Sequence, residues 1–325
     1  MKLRRRTFLG LAAGAAALPA VSRMARAQAY PSRPVRIIVG FPPGGATDIQ
    51  ARLMGQWLSD RLGQQFIIEN RPGASGNIGT EAVAKAPADG YTLLQVATPN
   101  PINAVLYSNL SFDFVRDIAP VIYSARLAYV VVVHPSVPAT TIPEFIAYAK
   151  ANPGKINYGS AGPGTPQNIA CELFKMMAGV NLVHVPYRGG APAVTDLVGG
   201  HLQVIFCPVS EGIEHIKAGK LRALAVTTAA RLDVFPDVPT VGDFVPGYEA
   251  SGFAGIGVPR GTPADIITML NKELNAGLAD AKIRARITEL GGTPLGGSPA
   301  EFGALISDAI EKWTKVIKFA GIKVE

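Results

Sequence analysis

The stretch Val35-Arg36-Ile37-Ile38-Val39-Gly40-Phe41-Pro42-Pro43-Gly44-Gly45-Ala46-Thr47-Asp48 decides how the rest of the chain is read. Its first half is a run of branched apolar residues, the composition of a strand buried on both faces. Pro42 to Gly45 breaks that strand. From Ala46 to Arg61, apolar residues recur at Ile49, Leu53, Met54, Trp57 and Leu58, which predicts one face of a helix. Strand, glycine-rich turn and helix in this order form the first unit of an α/β fold. The start of such a helix presents unpaired backbone N–H groups and the positive end of its dipole, so it attracts anions. Thr47 or Asp48 can cap that helix or reach a bound group.

The same alternation continues along the chain. Strands are predicted at 66–69, 91–97, 129–134, 155–158, 183–185, 203–206, 222–227 and 253–258. Helices are predicted at 78–86, 142–151, 166–177, 190–199 and 209–218, and a helical tail over 263–319. Alternating strands and helices predict largely parallel sheets. Residues 233–248, rich in Pro, Gly and Asp, predict a long surface connection, and no repeat is visible. A second glycine-rich turn, Gly159-Ser160-Ala161-Gly162-Pro163-Gly164-Thr165, also lies between a strand and a helix, with Ser160 and Thr165 adding hydroxyl groups. In open α/β sheets ligands bind at such turns, beyond the carboxyl ends of the strands. Two of them in separate halves predict a ligand held between lobes, although each alone could be an ordinary tight turn.

The turns exclude several chemistries. Neither is followed by Gly-Lys-Ser/Thr, and the glycine order at 159, 162 and 164 is not that of a dinucleotide loop. Ser160 is not in a nucleophile elbow, and no His/Asp partners can be assigned to it. Asp48 has no second carboxylate beside it for acid–base work and reads as a cap or water-orienting group. His134, His184, His201 and His215 have no metal-ligand spacing. No catalytic residue, metal or cofactor is therefore expected.

Charge and targeting agree with this. The 325-residue chain has a formal net charge of +7. Six of its cations (Lys2, Arg4, Arg5, Arg6, Arg23 and Arg26) lie in the first 29 residues, which hold no acid. The remainder is close to neutral and has no field for nucleic acid. Arg4-Arg5-Arg6-Thr7-Phe8-Leu9 followed by a soft apolar stretch and Ala27-Gln28-Ala29 reads as a twin-arginine export signal, cleaved after Ala29; an uncleaved tether is the alternative. About 300 residues remain, more often two domains than one. Cys171 and Cys207 are too few for a disulfide framework and read as two buried apolar residues, a single bridge being the alternative.

The ordered motifs resemble the periplasmic solute-binding proteins of tripartite tricarboxylate transporters, the Bug family. They are PVRIIVGFPPGG at 34–45 with Asp48, ENRPGA at 69–74 with Gly76, Asn77 and Ile78, ADGYTL at 88–93 and DIAPV at 117–121. They continue with NYGS at 157–160, Gly162, Gly164, Thr165, VPYRG at 185–189, GTP at 261–263, SPAEF at 298–302 and Lys312-Trp313. The resemblance spans nearly the whole mature chain. It implies a two-lobed, type II-like flytrap of α/β lobes: 1–29 a cleaved leader, 30–128 plus 254–325 the first lobe, and 129–253 the second. It implies a monomeric receptor that binds a small carboxylate or related molecule and delivers it to membrane permease subunits. Alternatives are a ligand-sensing partner of a membrane sensor kinase and, least, a periplasmic enzyme. Carried onto this chain, the ligand-binding residues are Phe41, Gly44, Gly45, Ala46, Asp48, Ala74, Thr98 and Asn100 in the first lobe. In the second they are Ser160, Gly162, Gly164, Thr165 and Tyr187, with Arg188 nearby. The chain departs from the family at Asn168, where a histidine is frequent, and near Gln203, where an aspartate is frequent.

Overall fold

A computed structural model describes residues 30–323. The expected leader lies outside these residues. The chain runs through β1 (Val35–Val39), α1 (Ala46–Leu62), β2 (Phe66–Asn70), α2 (Asn77–Ala84), β3 (Thr92–Ala97), α3 (Pro99–Leu106), α4 (Phe114–Asp117) and β4 (Ile118–Leu127). It continues through β5 (Tyr129–Val133), α5 (Ile142–Ala151), β6 (Asn157–Ser160), α6 (Pro166–Ala178), β7 (Val183–Pro186), α7 (Gly190–Val198), β8 (Val204–Pro208), α8 (Val209–Lys217) and β9 (Arg222–Val226). It closes with β10 (Gly252–Pro259), α9 (Ala264–Ala279), α10 (Ala281–Glu289), β11 (Gly292–Pro294) and α11 (Pro299–Ala320).

Two sheets organise these elements. One has the order β11-β4-β10-β3-β1-β2 and the other β7-β6-β8-β5-β9. The sheets are mixed rather than largely parallel. β2-β1-β3 and β7-β6-β8 are parallel, as strand–helix–strand units dictate. β10 runs antiparallel to β3 and β4, and β5 antiparallel to β8 and β9. The reason is the crossing of the chain between sheets: a strand arriving from the other lobe enters at the opposite end from one that follows a local helix. The periodicity marks strands but not the end from which each one enters.

The crossing is short and tightly bonded. Ala128 alone separates β4 in one sheet from β5 in the other. The return passes through Thr227, whose N–H donates to Tyr129 O at 3.0 Å and whose carbonyl accepts from Ala250 N at 2.9 Å. Val130, Val131, Val132 and Val133 are all fully buried at the centre of the second sheet. Each such side chain contributes about 1.5–3 kcal/mol of apolar burial. α11 packs on α3 and β4 and also reaches α6 of the second lobe, so the two lobes share a helical flank. A capping box fixes its start, with Ser298 Oγ accepting from Glu301 N and Glu301 accepting from Ser298 N.

Two further departures bear on the site. β6 extends to Ser160, so Gly159 and Ser160 belong to the strand and not to the turn. β4, α3 and α4 have no counterpart in the periodicity reading. Cys171 and Cys207 are separate, buried thiols, one on α6 and the other on β8.

Candidate functional site

The starts of α1 and α6 border one cavity of about 200 Å³ between the lobes. From the first lobe it is lined by Phe41, Ala46 and Thr47 at the start of α1, and by Ala97, Thr98 and Pro99 between β3 and α3. Pro166 and Gln167 at the start of α6, with Pro208 and Ser210 at the start of α8, line it from the second lobe. Leu127, Ala128 and Tyr129 of the crossing, with Leu290 and Gly291, complete the lining. Four strand-to-helix turns and the crossing therefore converge on one space.

The β1–α1 turn is braced from behind. Gly44 has a φ of +87°, a conformation that glycine adopts without strain, and Gly45 is the residue before the helix, with φ −77°. Asp48 is only 2% exposed. Its carboxylate accepts from Gly44 N at 2.9 Å, from Arg52 Nε at 2.9 Å and from Asn70 Nδ2 at 2.9 Å. Burial works to raise the Asp48 pKa, but the bonds from Arg52, Gly44 and Asn70 outweigh it, and the pKa is held below the ordinary aspartate value. Asp48 thus holds the turn in shape and has no oxygen free of the protein. Asn70 Nδ2 also donates to Phe41 O at 2.9 Å, fixing the other end of the turn.

The β6–α6 turn is built the same way. Gly162 and Gly164 have φ values of +125° and +73°. Asn168 Oδ1 accepts from Gly164 N at 2.9 Å, and Asn168 Nδ2 donates to Tyr158 Oη at 2.6 Å. Ser160 Oγ donates to Gly162 O at 3.1 Å and lies 2.7 Å from His184 Nε2. Thr165 Oγ1 donates to Gly162 O at 2.7 Å. Burial lowers the pKa of His184, favouring the neutral ring beside Ser160. The hydroxyls of Ser160 and Thr165 are therefore spent on the turn.

Among the residues singled out from sequence, Phe41, Ala46 and Thr98 line the cavity. Thr98 Oγ1 also accepts from Phe253 N at 2.8 Å, tying the wall to β10. Gly44 and Gly45 flank the lining, and a side-chain carbon on either would meet at most Pro42 O at 3.9 Å, so this stretch faces open space. Asp48, Asn100, Ser160, Gly162, Gly164 and Thr165 sit one layer behind. Asn100 Oδ1 accepts from Ala97 N at 2.7 Å and its Nδ2 donates to Thr80 Oγ1 at 2.8 Å. Ala74 is an exposed residue with φ +46°, and Arg188 is also exposed. Tyr187 Oη donates to Asp196 Oδ2 at 2.6 Å, turned toward α7. Sequence reasoning passed over the Pro208–Ser210 turn, although it too joins a strand to a helix. It also passed over Leu127 and Ala128, because Ser124 and Arg126 just before them interrupt the apolar pattern.

Among the described residues no group of His, Cys, Asp and Glu is placed to hold a metal ion, and no helix is long and apolar enough to cross a membrane. The arrangement can hold a small anion by backbone N–H groups and helix ends. His184 does come beside Ser160, a partner that the sequence did not assign, and the Ser160 hydroxyl also bonds Gly162 O in the turn.

Comparison with known proteins shows the family. Residues 50–322 match the family model described as tripartite tricarboxylate transporter family receptor. The chain is 35% identical to Protein BugT of Bordetella pertussis, over 92% of this chain and 93% of that one. It resembles Rpa4515 of R. palustris, solved with adipate, at 39% identity and a TM-score of 0.80, covering 90% of this chain and 99% of that one. It also resembles MatC of Rhodopseudomonas palustris, solved with bound malate, at 29% identity and a TM-score of 0.76, covering 89% and 100%. On fold and sequence together, the chain belongs to the tripartite tricarboxylate transporter receptor family, a family of solute-binding receptors.

Proposed function

We propose that the protein is an exported, monomeric receptor that closes on a small carboxylate-bearing metabolite and delivers it to the permease subunits of a tripartite transporter in the membrane. In this reading residues 1–29 are a leader removed on export by the twin-arginine route. Residues 30–128 plus 254–325 act as one lobe, and 129–253 as the other. The observation that carries the reading is the convergence of the α1 and α6 starts on a single interlobe cavity.

Magnitudes support a shared grip. A charge-assisted hydrogen bond contributes about 1.5–3 kcal/mol net, so four give roughly 6–12 kcal/mol. Association costs about 4–15 kcal/mol in lost freedom, and micromolar affinity requires about 8 kcal/mol net. One lobe alone supplies too little, so a ligand that touches both favours the closed form. Adipate and malate, bound by two similar proteins, are the natural first probes. A thermal-shift screen of the mature chain against short carboxylic acids tests the proposal. At about 100 times Kd, a true ligand adds about 2.7 kcal/mol of stability. A panel of mono-, di- and tricarboxylates and amino acids that leaves the melting temperature unmoved would count against it.

A further inference from the structure

The four helix starts that meet at the interlobe cavity are not alike. α1 begins after Gly45, has no side-chain cap and presents Ala46 and Thr47 to the cavity, so the N–H groups of its first turn are open to a ligand. Each of the other three carries a proline there. Pro99 is the first residue of α3, Pro166 is the first of α6, and Pro208 immediately precedes α8. A proline ring has no N–H to donate. At α8 the next N–H is used as well, since Val209 N donates to Ala128 O at 3.2 Å. Proline is favoured at a helix start for its own sake, but that preference does not set three of them against one space, and all three line this cavity.

The rest of the lining follows the same division. Phe41, Leu127 and Leu290 add apolar surface, and among the described residues that line the cavity none is charged. The one side-chain amide is already engaged: Gln167 Oε1 accepts from Ala161 N at 3.2 Å, and Gln167 Nε2 donates to Glu211 Oε2 at 3.3 Å. Thr98 Oγ1 is held between the N–H and the carbonyl of Phe253. Second-lobe side chains add the hydroxyls of Tyr129 and Ser210 but no counter-charge. A carboxylate brought there would lose its hydration without a cation to replace it. An apolar body meets no such cost. An apolar cavity of about 150 Å³ accommodates a benzene ring, and this cavity has about 200 Å³.

Taking the interlobe cavity as the binding site, we propose that the ligand is a monocarboxylate with an apolar chain or ring. Its carboxylate lies at the start of α1, and its apolar body lies against the prolines that open α3, α6 and α8. This narrows the carboxylate class proposed above and rests on that reading. Closure then packs proline and leucine onto the ligand body. Selectivity against diacids comes from the end of the cavity remote from α1, which gives a second carboxylate no cation. Each methylene buried there contributes about four-fold in affinity, so the same surface reads chain length.

Calorimetry with matched probes tests this: hexanoate against adipate, which carries a second carboxylate in place of the methyl group, and benzoate against terephthalate. The wild-type chain is expected to bind the monoacid of the better-fitting pair about ten-fold tighter than its diacid, or more. Leu290 follows α10, where a cation suits the helix dipole. Leu290→Lys supplies the missing counter-charge and is expected to reduce the ratio by about ten-fold. Pro166→Ala exchanges a ring for a methyl group and an N–H, and is expected to reduce it by about three-fold. The inference is overturned if a diacid binds the wild type as tightly as its monoacid, or if neither substitution moves the ratio. Gly45→Val separates the two levels. A diacid preference that Gly45→Val abolishes leaves the cavity as the carboxylate site and overturns the apolar body alone. If binding survives Gly45→Val, or no probe binds the wild type, the cavity reading fails together with this one.

Discussion

Asp48 and Asn168 hold the same station in two unrelated segments. Each is the third residue of its helix, and each accepts, at 2.9 Å, the backbone N–H of a left-handed glycine four positions earlier: Gly44 for Asp48 and Gly164 for Asn168. The two turns that face each other across the cavity are thus braced by one local device. Its two copies differ in charge. Asp48 is ionised and matched by Arg52, whereas Asn168 is neutral and leads through Tyr158 to Glu172, which is paired with Lys175.

Removal of either brace is expected to cost stability as well as binding. Asp48→Ala removes the acceptor of Gly44 N and Arg52 and one of two Asn70 bonds, and Asn168→Ala strands Gly164 N and takes one of two partners from the Tyr158 hydroxyl. A buried group left unpaired costs about 1–3 kcal/mol. Urea midpoints of the unliganded variants should fall accordingly, with unchanged slopes. Asn168→Asp should be worse than Asp48→Asn, because it adds a carboxylate beside the Glu172 network with no cation of its own. Unaltered midpoints in both alanine variants would show that the turns stand without their braces.

Two glycines should respond in opposite ways. A valine at Gly45 has space within the protein and an ordinary φ of −77°, so the fold should be untouched while a ligand at the α1 start is blocked. Gly164→Ala carries strain at φ +73° of about 1–2 kcal/mol, and its new methyl would overlap Leu106 of α3 across the interlobe boundary. Gly164→Ala should therefore lower the melting temperature and hold the lobes apart, seen as a larger radius of gyration in solution scattering. Leu106→Ala in the same chain should restore the compact radius but not all of the stability. An equal melting temperature for both single variants would contradict this division.

The pH dependence of folding should carry the signature of His184. Burial lowers its pKa from the ordinary 6.5 in the folded chain, with Glu172 working weakly in the other direction. The unfolded chain therefore takes up the proton first as the pH falls. Stability is full above about pH 7 and declines as the pH falls through the unfolded value near 6.5. His184→Gln, which can still bond Ser160, should flatten the decline between pH 7.5 and 5 in denaturant titrations. A variant with the wild-type slope would place the titrating group elsewhere.

The two thiols should be silent in the native state. Cys171 and Cys207 are fully buried, and burial raises both thiol pKa values. A thiol reagent should modify neither within the time that it takes to modify both in urea, and reductant should not move the melting temperature. Rapid labelling of native protein would show that α6 or β8 opens locally.

Much of this architecture is legible in the residues. The β1–α1 unit declares itself because the branched run from Val35, the Pro-Gly break and the apolar spacing of α1 all agree. Parallel pairing follows from strand–helix alternation. β4 was not legible: its polar Ser124 and Arg126, and Pro120, interrupt the pattern, and only pairing with β10 and β11 makes it a strand. At the cavity, Phe41, Ala46 and Thr98, named from sequence, line the wall, whereas Ser160 and Thr165 do not. The hydroxyls of Ser160 and Thr165 look available in sequence and are consumed locally by Gly162, a choice that only the backbone geometry reveals.

The central claim is that two opposed helix starts grip one acid. A crystal structure of the mature chain with the tightest-binding acid from the screen tests it most directly. The account predicts a carboxylate within hydrogen-bond distance of backbone N–H groups at the start of α1, and the same molecule in contact with Gln167 or its neighbours at the start of α6. An acid seated outside this cavity, or touching one lobe only in a closed molecule, would contradict it.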